Sequence, residues 1–273
     1  MKKKKNYAAM IITILLALLF ALPIYLIVIN SFKTYGEIFS QPMKFPLRPT
    51  LENFINAWNR TDYIRYFFNT LISTLIGLVV VVSVSALAAY KLSRTKTKLS
   101  TALFAYFTIS MLLPFEVIML PLVTLLKDLG ILNNLPALGV VQASTHIAFS
   151  IFLYHGFIKS IPQQLDEAAR IDGCGEIRLF IQIIFPLLKP ITATVIILNT
   201  LNFWNSFLLP LLVLTKEEVK TLPLFAYSFL GQYSSNYDMQ LPAVIMTGLP
   251  LVIFYLFMQK NIIKGITASS VKG

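Results

Sequence analysis

The sequence predicts an all-α integral membrane protein with six transmembrane helices and both termini in the cytoplasm. Composition is the first reason: of 273 residues, 56% are hydrophobic and only 13% charged, whereas a soluble domain is about half apolar and about a quarter charged. The second is run length. Uncharged or nearly uncharged stretches occupy 7–32, 66–90, 99–126, 129–158, 190–215 and 239–259, and about 20 helical residues cross a hydrocarbon core of about 30 Å. Barrel strands would instead leave short alternating segments. The third is the distribution of basic residues. With the N-terminus inside, the inner segments hold 15 of the 23 Lys and Arg residues, from Lys2–Lys5 through Lys91, Arg94 and Lys159 to Lys272, as the positive-inside bias requires.

The elements follow in order. "MKKKKNYAAMIITILLALLFALP" begins like a signal peptide, but its apolar stretch continues to Ile29 and no small-x-small site closes it, so it reads as a retained first span. The loop 33–65 carries Pro42, Pro46 and Pro49 and is expected to be extended. Within it "PTLENFINAW" reads as a short helix capped by Thr50, with Asn53 and Trp58 near the membrane interface. Span two places Ser73, Gly77, Ser85 and Ala89 at helical spacing, a face that lets helices approach closely in lipid. Span three, with "MLLPFEVIMLP", should be kinked at Pro114 and Pro121. Span four is polar along part of its length through Gln142, Ser144, Thr145 and His146. Span five opens with Pro186 and Pro190, and an outer loop 216–241 bearing Tyr227, Tyr233 and Tyr237 leads into span six and a short tail.

A net charge of +11 suits topology and anionic lipid head groups. No basic stripe interleaves with exposed aromatics, so nucleic acid is not an expected partner. Cys174 is the single cysteine, which excludes an intrachain disulfide and a multi-cysteine metal site. His146 and His155 lack a second histidine at i+4 or a carboxylate within a turn, so no metal is expected.

The segment 159–189 departs from this pattern. Lys159, Arg170, Arg178 and Lys189 are balanced by Asp166, Glu167, Asp172 and Glu176. Pro162 suits the first turn of a helix, acids follow where the dipole favours them, and Gly173 stops it. The result is a helix of two to three turns, too short to be stable alone, with Ala168 and Ala169 offering a close-approach face and Glu167, Arg170 and Asp172 offering charge. Two readings stand on these grounds: a solvated connector, or a contact that transmits force between the flanking spans.

The spelling separates them. "EAARIDGCGEIRLFIQIIFP" resembles the EAA signature of permease subunits of binding-protein-dependent ABC importers, which runs Glu-Ala-Ala, three residues, Gly, nine residues, Ile-x-Leu-Pro. Glu167, Ala168, Ala169, Gly173, Ile183 and Pro186 match, with Phe185 where Leu is usual. "SFK", "NTLISTLIG", "LPLVTLLKDLGILNN", "IPQQLDEAARIDG", "FWNSF", "KTLPL" and "GITASSVKG" extend the similarity to the shorter, six-span member of the maltose-type sugar permease subfamily.

The resemblance implies a type I importer permease fold with residues 1–65 as first helix and outer loop, 66–260 as permease core with its EAA loop at 162–186, and 261–273 as a cytoplasmic tail. It implies a second homologous permease, an ATPase dimer that binds ATP and magnesium, an extracytoplasmic sugar-binding protein, and a cargo of the oligosaccharide class. Location in a bacterial or archaeal cytoplasmic membrane follows. Glu167, Ala168, Ala169, Arg170, Asp172, Gly173 and Pro186 become the ATPase-coupling residues, and no cofactor is expected in the chain itself, which contains no GxxxxGK[ST] loop. Trp204 and Asn205 read first as helix-packing residues; they also pair an aromatic face with an amide, a combination suited to sugar. Glu116, the one acid inside an expected span, joins them as a candidate for the substrate pathway, with a structural carboxylate as the other reading. Composition leaves open a polytopic scaffold, which would not explain the signature. An ion-coupled transporter would show repeated halves and more intramembrane charge.

Overall fold

A computed structural model describes residues 7–60, 62–230 and 236–270, so Tyr233 and the basic residues Lys2–Lys5 lie outside the described residues. The architecture is all-helical among these. Four helices are long and apolar enough to cross a membrane unbroken: α1 (Tyr7–Ser31), α4 (Tyr63–Arg94), α7 (Leu135–Ile158) and α14 (Tyr237–Ser270). Two bent pairs raise this to six spans if each pair crosses as one.

The first pair is α5 (Lys98–Ser110) and α6 (Phe115–Asp128), which meet at 100°. The expected single kinked span is therefore two short helices. Thirteen residues of α5 rise only about 20 Å. Pro114 lacks an N–H and sits at the N-cap of α6 in an extended conformation, so the chain breaks there outright. Glu116 consequently lies exposed in the first turn of α6, where a helix N-terminus favours an acid, and not within a straight span.

The second pair is the helical segment Glu176–Leu187, comprising α9 (Glu176–Leu179), a π turn (Phe180–Ile184) and α10 (Phe185–Leu187), with α11 (Lys189–Trp204); they meet at 77°. Pro186 would clash with a carbonyl one α-turn back. The π turn widens the backbone just before it, and the Phe185 N–H bonds to the Phe180 carbonyl. Pro190 then occupies the first turn of α11. The expected span 190–215 stops early: α11 ends at Trp204, and Leu208–Val213 forms a separate short helix, α12. Span four also begins later than expected, at Leu135, because Gly130 (φ 69°) and Asn133 (φ 58°) turn the chain and Asn134 caps α7 by accepting the Ala137 N–H at 2.9 Å.

Contacts group the chain into two units: residues up to Tyr63 with Pro223–Pro250, and Ile64–Leu222 with the residues from Leu251 onward. In the first unit α1 is apolar all round and exposed along most of its length, as a lipid-facing helix is. Its C-terminal end is tied by buried polar groups. The Lys33 ammonium donates to Asn30 Oδ1 (2.9 Å) and to the carbonyls of Gln41 (2.8 Å) and Pro42 (3.2 Å), which satisfies all three N–H groups. The loop also contains α2 (Tyr35–Ser40) and α3 (Glu52–Arg60). Thr50 accepts the Glu52 N–H at 3.1 Å as expected. Asn53 is buried, not interfacial, and donates to the carbonyls of Ser31 and Lys33.

In the second unit the small-residue face of α4 is used as its spacing predicts. A Cβ on Gly139 of α7 would lie 2.6 Å from the Ser73 carbonyl oxygen, and one on Gly77 would lie 2.9 Å from the Phe203 ring. Backbone thus meets backbone across α4 and α7, with Ser85 donating to the Ile147 carbonyl further along (3.3 Å). At the other end of α4, Asn69 donates to the carbonyls of Glu218 and Lys220, both at 2.9 Å, and Thr70 accepts the Leu222 N–H at 2.8 Å, which pins the segment before α13 (Leu222–Tyr227).

The close crossing generates a test. Gly139→Ala is expected to lower the thermal unfolding midpoint of the detergent-purified protein, because its Cβ must displace backbone, an overpacking cost of about 1–3 kcal/mol. Gly156→Ala on the same helix, where a Cβ meets nothing within 4 Å, should hold or raise the midpoint. Equal midpoints for the two variants would contradict the crossing.

Candidate functional site

Between α7 and α11 lies the short helix α8 (Gln164–Ile171). Pro162 precedes it instead of opening its first turn, and its carbonyl accepts the Leu165 N–H. Asp166 and Glu167 fall in the first turn. Gly173 ends the segment at φ 78°, a left-handed conformation that glycine adopts without steric cost, and the Cys174 N–H returns to the Ala169 carbonyl at 2.9 Å.

The helix is two-faced. Asp166 and Ala169 point inward and are buried, while Glu167, Ala168, Arg170, Ile171 and Asp172 are exposed. The expectation that Ala168 and Ala169 together form an outward close-approach face is therefore corrected. At 100° per residue they diverge, and Ala169 joins a core with Ala86, Ala89, Tyr90, Ile158, Leu179, Phe180 and Leu188. Cys174 packs against that same core. Ala168 alone keeps the outward role. Arg170 is engaged within the chain: its Nε donates to Glu176 Oε1 at 2.7 Å and its Nη2 to Oε2 at 3.3 Å. This exposed pair spans the Gly173 turn and ties α8 to α9. Pro186 lies away from α8, at the π turn and bend described above, so its part in the signature is to shape the bend.

The anchor beneath α8 is ionic. Asp166 has no exposed surface. Its Oδ1 accepts the Tyr90 hydroxyl at 2.6 Å and the Arg94 Nε at 3.4 Å, while Arg94 Nη2 faces Oδ2 at 3.0 Å. The same Nη2 donates to the Ile161 carbonyl at 3.1 Å. One guanidinium at the end of α4 thus holds both the helix and the turn leading into it. Sequence reasoning counted Asp166 and Arg94 only as charges. Periodicity carries the signal once Ala169 is known to face inward: Asp166 lies three residues before it, on the same face of the helix.

The candidates for a substrate pathway do not form one cluster. Trp204 is buried, with its ring edge-on to Phe67 at 5.7 Å, whereas Asn205 is exposed and donates to the Leu201 carbonyl at 2.9 Å. The expected aromatic-plus-amide pair is split between two faces of the helix end, and Trp204 serves packing. Glu116 stands on α6, exposed. His155 stacks on Phe104 with ring centroids 3.7 Å apart, and His146 Nδ1 lies 3.0 Å from the Gln142 carbonyl with its ring edge-on to Phe203. Both histidines are packing residues of α7.

Comparison with known proteins bears on this arrangement. The family described as binding-protein-dependent transport system inner membrane component matches residues 81–266, which include α8 and the whole bend. A protein described as "Probable starch degradation products transport system permease protein AmyC" from Thermoanaerobacterium thermosulfurigenes is 37% identical over 270 residues, 98% of this chain and 97% of its own. The melibiose/raffinose/stachyose import permease protein MelC of Bacillus subtilis is 35% identical over 277 residues, the full length of both. A chain of the crystal structure of a bacterial ABC transporter involved in import of the acidic polysaccharide alginate shares the fold. Its TM-score is 0.80 at 22% identity, covering 95% of this chain and 98% of that one. The protein belongs to the family of inner-membrane components of binding-protein-dependent transport systems.

Proposed function

We propose that this chain is the membrane-spanning permease subunit of an ATP-driven sugar importer and that α8 is its docking element for the ATPase. The observation that carries the docking role is the division of α8 into a buried, ion-paired face and an exposed face of Glu167, Ala168, Ile171 and Asp172. A solvated connector has no need of a fully buried carboxylate held by two partners, nor of an isoleucine left 85% exposed beside it. A docking helix needs both, because force applied to one face must be resisted at the other.

The names of the relatives support a carbohydrate cargo. The family's binding-protein dependence supports delivery of the sugar by an extracytoplasmic binding protein, and a second permease that completes the pathway belongs to the same proposal. ATP is hydrolysed on the partner ATPase subunits, and the movement of α8 on ATPase closure turns the pathway outward. Asn205, which presents an amide at an exposed position near the end of a membrane helix, stays in the reading as a pathway residue, and Glu116 as a vestibule residue. With the termini cytoplasmic, loops 33–65 and 216–240 face outward.

Two outcomes follow. Glu167→Lys reverses a charge on the docking face, where a mismatched buried pair costs about 2–5 kcal/mol; a loss of about 4 kcal/mol weakens binding roughly a thousandfold. Gly173→Pro imposes a φ near −65° where the chain has +78°. Purification through a tag on this chain should recover the second permease and lose the ATPase in both variants; full retention of the ATPase contradicts the docking role. For topology, single cysteines replacing exposed Ser40 or Glu218 in a Cys174→Ala background should react with an impermeant maleimide on intact cells, and one replacing Lys96 should not. Labelling at Lys96, or none at the other two, reverses the orientation.

A further inference from the structure

Docking alone does not move a membrane helix; the docking element must be rigidly joined to one. α8 is only eight residues long and is tethered at its C-terminal side by a glycine turn, so covalent continuity gives it little leverage on α11. Non-covalent links run to α9, through the exposed Arg170–Glu176 pair, and, through buried groups, to α4. Arg94 stands in the last turn of α4, where a cation is favoured by the helix dipole. It reaches Asp166 Oδ2 at 3.0 Å and the Ile161 carbonyl at 3.1 Å, and Tyr90, one turn earlier, adds a 2.6 Å bond to Oδ1. The Tyr90 ring also lies against Phe180, centroids 5.4 Å apart, so the tyrosine contacts both sides of the loop. Three contacts from two successive turns fix orientation as well as distance. Arg94 is nearly enclosed and Asp166 fully so, so water and salt screen the pair far less than a surface pair.

We propose that Asp166 is a positioning residue which, through Arg94 and Tyr90, locks α8 to the end of α4 so that the two move as one body when the ATPase closes. The inference rests on the docking role proposed for α8. It assigns the first mechanical step to α4, the helix whose small-residue face meets α7 at Gly139, and so gives the movement a route into the packed helices of the same unit.

The test uses the complex purified with its ATPase. Spin labels are placed at exposed Lys91 of α4 and Gln164 of α8 in a Cys174→Ala background, and the interlabel distance is read with no nucleotide and after trapping with ATP and vanadate. The intact chain should give one narrow distance unchanged by trapping. Asp166→Asn keeps every docking side chain and an acceptor for the Tyr90 hydroxyl, so the ATPase should still co-purify, but the distance should shift or broaden on trapping. Tyr90→Phe removes the 2.6 Å bond and keeps the charge pair, and should broaden the distribution less. A shift on trapping in the intact chain overturns the proposal, as does an invariant narrow distance in Asp166→Asn. If Asp166→Asn does not assemble, an unbroadened Tyr90→Phe distribution overturns it. The outcomes separate this lock from the docking role: Glu167→Lys that releases the ATPase alongside an invariant distance in Asp166→Asn sinks the lock alone, whereas Glu167→Lys that keeps the ATPase removes the docking role beneath it.

Discussion

A carboxylate with no exposed surface governs the arrangement of this molecule's distinctive loop. Removing a charge from water costs several kcal/mol, and only close, well-aligned partners offset it. Asp166 has a close hydrogen bond from Tyr90 to Oδ1 and the Arg94 guanidinium as counter-ion, 3.0 Å from Oδ2. The same energetics make the site intolerant of alternatives. Were α8 to rotate by one residue, Glu167 or Leu165 would take the inward position and the Arg94 guanidinium would be left largely buried without its carboxylate, a loss of about 3–5 kcal/mol. The ion pair therefore sets the rotation of α8, and the rotation determines which residues are offered outward.

Everything around the pair follows that orientation. Ala169 is small and shares a core with Ala86, Ala89 and Ile158. The Gly173 turn and the Arg170–Glu176 pair bring the chain back at once into α9, and Leu179 and Phe180 enter the same core. The π turn and Pro186 then produce the 77° bend that redirects the backbone along α11. The signature residues thus divide by physical task. Glu167 and Ala168 face outward, Ala169 packs inward, Arg170 braces the turn, Gly173 supplies a backbone conformation and Pro186 a bend.

The overall fold was legible because the membrane imposes it. Long uncharged runs have one stable outcome in hydrocarbon, and α1, α4, α7 and α14 appear where those runs lie. The small residues of α4 were equally readable, since Ser73 and Gly77 can share a face for little reason other than close approach. Breaks were harder to place. Apolar content is the same on both sides of Pro114 and of Asn205, so hydropathy joined segments that the backbone separates, and Glu116 falls in the first turn of the second helix of a bent pair. The Asp166 anchor was hidden for a different reason: its partners are 72 and 76 residues away in sequence, and no local pattern pairs them. Trp204 and Asn205 are adjacent in sequence but differ in burial, because neighbouring residues at a helix end point about 100° apart.

The central claim, that the exposed face of α8 is where the ATPase seats, is tested most directly by a photo-activated cross-linking residue at Ala168 in the assembled complex. Ala168 is exposed and plays no part in the Asp166 anchor, so the loop's own packing is left intact. The account predicts that irradiation joins this chain to the ATPase subunit as the main product. Capture of lipid or of the second permease alone, with the ATPase present in full ratio but not joined, would contradict it.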